Sequence, residues 1–75
     1  MFLKDIEVGQ NCIVENIDLS PNMKRHLEAL GMTDRAPVLV LNKKGSGIMI
    51  IRMRGSRFAL GSNITHKITV RVKDE

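Results

Sequence analysis

Ser20-Pro-Asn-Met-Lys-Arg-His-Leu-Glu-Ala-Leu-Gly31 is the stretch whose reading decides the fold. Ser20 is a good N-cap, and Pro21 follows at the first helical position, where its missing N–H costs nothing. Met23, Leu27 and Leu30 fall at i, i+4 and i+7, one stripe of a helix. Gly31 suits the left-handed position just past a helix end, and Met32 is placed to fold back onto Leu27. With Met23 where Glu or Gln would reach back, the capping box is incomplete. The spacing predicts one short helix over residues 21–30 that feeds two strands apolar on both faces, and the remainder of the chain reads as closure for this unit.

Before the helix, residues 3–7 suit a turn or a single helical turn, and Val8-Gly9-Gln10 leads into a first strand over Asn11–Ile17. Behind Gly31, Pro37 cannot donate to a ladder and so belongs at a strand start, ahead of Val38-Leu39-Val40-Leu41. Asn42-Lys43-Lys44-Gly45-Ser46-Gly47 is a hairpin signal. Residues 48–54 form a third strand, with Met49, Ile51 and Met53 on one all-apolar face. A fourth strand over Ser56–Leu60 pairs with it across Gly55-Ser56. Gly61-Ser62-Asn63 allows a helical turn over Ile64. Ile68, Val70 and Val72 alternate with Thr69, Arg71 and Lys73, the pattern of a fifth, half-buried strand. The expected architecture is mainly β: a small SH3-like five-stranded barrel, partly open, with one short helix between strands 1 and 2. Its expected core contains Val14, Leu27, Leu30, Leu41, Ile51, Met53, Leu60, Ile68 and Val70.

The 75 residues suit a single domain with a thin core, because a chain this short buries only about 60–65% of its unfolded surface. A single cysteine, Cys12, excludes an internal disulfide framework. With no signal-peptide pattern, that fits a reducing cytoplasm. No apolar run approaches the ~20 residues of a membrane helix, so direct membrane insertion is not expected. Charge is unevenly spread. Residues 1–22 carry Lys4 against Asp5, Glu7, Glu15 and Asp18, a net of −3. Residues 23–57 carry eight basic side chains against Glu28 and Asp34, a net of +6. Such a face either keeps the chain soluble or docks an acidic partner.

The residues that bear chemistry do not group. Cys12, His26 and His66 show none of the C-x-x-C, H-x-x-x-H or H-E-x-x-H spacings. His26 sits beside Lys24 and Arg25, which disfavours a cation there. Cys12 lies in a strand, shares a face with Val14, and reads as a small buried hydrophobe. Gly45-Ser46-Gly47 and Gly55-Ser56-Arg57 are too short for a phosphate loop. The expectation is no catalysis, no cofactor and no metal site.

In order, Leu27-x-x-Leu30-Gly31-Met32, Val38-x-Val40, a glycine loop, Arg52-x-Arg54-Gly55, Phe58-Ala59-Leu60 and Ile68-x-Val70 resemble the FeoA family, the ferrous iron transport proteins A. The resemblance runs from Val8 to Val70. It departs at Arg35, where the family usually has a turn glycine, at Gly47, which replaces a proline, and at Ile64-Thr65, which replaces an acidic-Ala pair. It implies an SH3-like fold and a role in bacterial ferrous iron uptake. The implied partner is a FeoB-type membrane permease with a cytoplasmic GTP-binding domain. A similar module forms the C-terminal part of iron-dependent repressors, and with the chain starting at Met1 no DNA-binding domain is expected ahead of it here.

Three functions follow for comparison. The first is a monomeric cytoplasmic module that regulates the permease, docking through Met23, Lys24, Arg25 and Met32. The second is a nucleic-acid-binding small barrel, motivated by Lys43, Lys44, Arg52, Arg54 and Arg57. Phe2 and Phe58 are the only aromatic residues, which leaves too few stacking platforms for that role, and phosphate contacts alone bind weakly at physiological salt. The third, an iron carrier, needs ligands that the sequence does not group.

Overall fold

The computed structural model describes residues 1–73. Five strands form one antiparallel sheet: β1 (Asn11–Ile17), β2 (Pro37–Lys43), β3 (Met49–Met53), β4 (Ser56–Leu60) and β5 (Ile68–Val72), in the order β4-β3-β2-β1-β5. Helix α1 (Pro21–Leu30) joins β1 to β2, and a short helix α2 (Ser62–Thr65) joins β4 to β5. The sheet is not closed. The outer edge of β5 is taken by the N-terminal segment, through a bridge between Phe2 and Thr69 and a Val70 N–H bond to the Met1 carbonyl at 2.7 Å. A single 3-10 turn at Leu3–Asp5 drops Leu3 and Ile6 into the core.

The expected helix and its two ends are present as the sequence dictates. Ser20 Oγ accepts from the Met23 N–H at 3.3 Å. At the other end Gly31 adopts a φ of 116°. The Met32 N–H reaches the Leu27 carbonyl at 2.9 Å, and the Gly31 N–H reaches Glu28 at 3.0 Å. These are the paired bonds of a Schellman end, and they satisfy carbonyls the helix would otherwise leave open.

Two register shifts shape the sheet. Between β1 and β5 the pairing slips at Val14/Asn16, so Cys12, Val14 and then Ile17 face inward, instead of a strict alternation. Between β2 and β3 it slips at Val40/Asn42. This second shift corrects the expected core. Val40 pairs with the inward Ile51, and Leu39 pairs with the outward Arg52, so the buried face of β2 is Val38 and Val40. Leu41 is the extra residue at the bulge and is only half-buried. The β3–β4 hairpin also turns one residue earlier than expected. Met53 pairs with Ser56, and the two loop residues are Arg54 and Gly55, at φ 52° and 80°. Two successive positive φ values are those of a type I′ turn, whose twist matches the flanking strands.

Leu30 is the second correction to the core: it is 40% exposed, whereas Leu27 is 3% exposed. Leu27 is the only buried residue of α1. The remaining expected core residues, Val14, Leu27, Ile51, Met53, Leu60, Ile68 and Val70, are all buried.

Candidate functional site

Helix α1 is held mainly at its C-terminal end. Leu27 and Met32 enter the core from that end. From the β3–β4 turn, Arg54 lays its side chain across Gly31. Its Nε donates to the Gly31 carbonyl at 3.1 Å, and its Nη2 donates to Thr33 Oγ1 at 3.3 Å. The φ of Gly31 favours glycine, and a Cβ there would stand 2.7 Å from Arg54 Cδ, so a side chain would push the Arg54 side chain aside. The guanidinium sits at the negative end of the helix dipole, and the Gly31 carbonyl it bonds also accepts from the Thr33 N–H at 2.9 Å. Arg54 is thus engaged within the fold, with its own backbone left-handed at φ 52°.

What remains of α1 faces outward. Met23 is 37% exposed, and Leu30 is 40% exposed. Seven residues apart on one stripe, they stand about 10 Å apart along the axis. Between and beside them lie the exposed Lys24, Arg25 and His26. Arg25 Nη2 donates to Asn22 Oδ1 at 3.3 Å, one turn back on the helix. Lys24 and Glu28, four residues apart, border a shallow cleft of about 230 Å³ together with Val14, Asn16, Ile17 and Asp34.

Of the four residues expected to dock a partner, the fold brings Met23, Lys24 and Arg25 together on the exposed helix. Met32 is excluded: it is 0% exposed. The reason is the Schellman end itself, which turns the residue after Gly31 back onto Leu27. A buried Met32 and an exposed one cannot both follow from that end. Leu30, and not Met32, is the second exposed apolar residue beside them.

The other candidate residues lie apart. Cys12 is buried in β1, and burial pushes its thiol up to about 11, so it stays protonated at neutral pH. His66 follows α2, and its Nδ1 contacts the Ser62 carbonyl. Among the described residues no three His, Cys, Asp or Glu side chains group to hold a metal ion. No described helix is long and apolar enough to cross a membrane. Arg35, at the position of the expected turn glycine, adopts a φ of 64°, and its N–H bonds to the Val14 carbonyl at 2.8 Å. A side chain in that region costs about 1–2 kcal/mol, so the turn is strained as its sequence implies.

The FeoA domain family model matches residues 1–72. No curated protein matches the chain. Among solved structures, an iron uptake regulatory protein (FeoA) is 32% identical, with a TM-score of 0.87, and 97% of each chain is covered. FeoA of Stenotrophomonas maltophilia, described in complex with zinc as a prokaryotic SH3 domain protein, is 25% identical with a TM-score of 0.78, over 93% of this chain and 88% of that one. A manganese-dependent transcriptional repressor is 23% identical with a TM-score of 0.83, over 96% of this chain but 40% of that one, a likeness of fold alone.

Proposed function

The chain belongs to the FeoA family of ferrous iron transport accessory proteins, and from that premise we propose that it binds the cytoplasmic part of a FeoB-type permease and tunes ferrous iron uptake without catalysing a reaction. It acts as a monomer in the cytoplasm. The observation that carries this reading is the family match across residues 1–72. Its docking face is α1, through Met23, Leu30, Lys24 and Arg25. Two exposed apolar side chains beside two cations suit a larger, more acidic protein, because charge steers the encounter and apolar contact holds it. Methionine adapts to such a surface. The buried, protonated Cys12 thiol supports a role in binding and not in nucleophilic chemistry.

Co-purification from cells under mild detergent tests the partner. The chain is expected to retain the permease, and deletion of its gene is expected to lower ferrous iron uptake. Unchanged uptake in the deletion strain would refute the assignment.

A further inference from the structure

Away from α1 the molecule carries a second concave surface, a groove of about 890 Å³ between the N-terminal segment, the β2–β3 loop and α2. Its size lies within the ~300–1,000 Å³ typical of ligand sites. Four lysines line it, Lys4, Lys43, Lys44 and Lys67, against one carboxylate, Asp18. The groove also contains two of the large hydrophobic side chains that the fold leaves exposed, Phe2 and Ile48.

The walls are built and not incidental. Lys43 Nζ donates to the Lys4 carbonyl at 3.2 Å, which ties the end of β2 to the N-terminal turn. Gly47 has a φ of 89°, and a Cβ there would lie 3.0 Å from Ser62 Cβ, so the β2–β3 loop closes directly on α2. Three segments distant in sequence are thereby held around one basic, part-apolar hollow.

We propose that this groove is a docking site for a short acidic protein segment. Its carboxylates lie against Lys43, Lys44 and Lys67, and one aliphatic side chain lies against Phe2 and Ile48. Charge complementarity selects the occupant: Lys4 is shared with Asp5 at 3.8 Å, and Lys43, Lys44 and Lys67 against the one carboxylate of Asp18 favour a partner that is net negative. The scarcity of stacking surfaces favours an acidic protein segment over nucleic acid. Phe2 and the His66 imidazole are the rings that line the groove, with no Trp or Tyr beside them, and lysine contacts to phosphate alone bind weakly at physiological salt. Binding uses side chains and not strand addition, because the adjoining edge of β5 is already paired by the N-terminal segment. No residue of α1 lines the groove, so this site stands or falls independently of the permease face.

The test is an amide NMR titration of the full chain with the peptide acetyl-Asp-Glu-Leu-Asp-Glu-amide, with its Leu-to-Gly counterpart, and with a ten-residue oligothymidylate. Saturable shifts confined to residues 2–4, 16–18, 43–49 and 62–69 are expected with the Leu peptide, and weaker ones with the Gly peptide. Lys43→Glu with Lys44→Glu is expected to weaken the Leu peptide about tenfold or more. Should that variant fail to fold, Lys67→Glu carries the same expectation. Lys24→Glu with Arg25→Glu is expected to leave peptide binding unchanged. No saturable shift at about millimolar peptide, shifts centred on α1, or tighter binding of the oligothymidylate would each overturn the proposal.

Discussion

In β3, Met49, Ile51 and Met53 stand on one face, and all three are buried. On α1, Met23, Leu27 and Leu30 also share a stripe, yet only Leu27 is buried. The residues are of similar size and hydrophobicity; what differs is the support. Neighbouring strands hydrogen-bond to β3 along both edges, so its inward face must meet the core along its whole length. The helix satisfies its own backbone and is attached through Leu27, the turned-back Met32 and the Arg54 clasp on Gly31. The sheet is therefore the part that holds the fold, and the helix is the part that leaves apolar side chains open.

Truncating the sheet is expected to have the largest effect. Ile51→Ala removes a fully buried side chain at the centre of the sheet and should cost about 2–5 kcal/mol, read as a drop in the thermal or urea midpoint. A midpoint within error of the wild type would show that the two regions are supported alike.

Cutting the clasp comes next. Arg54→Ala loses two hydrogen bonds to the helix end and leaves the Gly31 carbonyl without this partner, a cost of about 1–2 kcal/mol by chemical denaturation. Protection of the α1 amides against hydrogen exchange should fall more than that of β1–β3. Uniform loss of protection would place Arg54 in the global fold and not at the helix attachment.

On the exposed stripe the expected effect is smallest. Leu30→Ala should cost less than about 1 kcal/mol, because that side chain is already 40% exposed. A loss of the size expected for Ile51→Ala would return Leu30 to the core.

These same places mark where the fold was legible in the sequence. Residues 21–30 were readable as a helix because Ser20, Pro21 and Gly31 each impose a local conformation that needs no partner. Strands β1, β4 and β5 were readable from their turns and alternation. The inward face of β2 was not, since Val38-Leu39-Val40-Leu41 is apolar on both sides, and the choice is made by pairing with β3 and the bulge at Leu41. Leu30 was misplaced because a helical stripe gives direction but not depth. Met32 does not join Met23 on the exposed helix, because the Schellman end that the sequence implies turns it inward. The clasp of Arg54 on Gly31 spans 23 residues of sequence and depends on a left-handed arginine, which no local pattern announces.

The central claim, that the exposed helix docks the permease while the sheet holds the fold, is tested most directly by titration calorimetry of the cytoplasmic part of a FeoB-type permease with the wild-type chain and with Lys24→Glu plus Arg25→Glu. The double variant should melt within about 0.5 kcal/mol of the wild type, as exposed substitutions do. It should bind the permease about tenfold more weakly or worse. A folded double variant that binds as tightly as the wild type would contradict the claim.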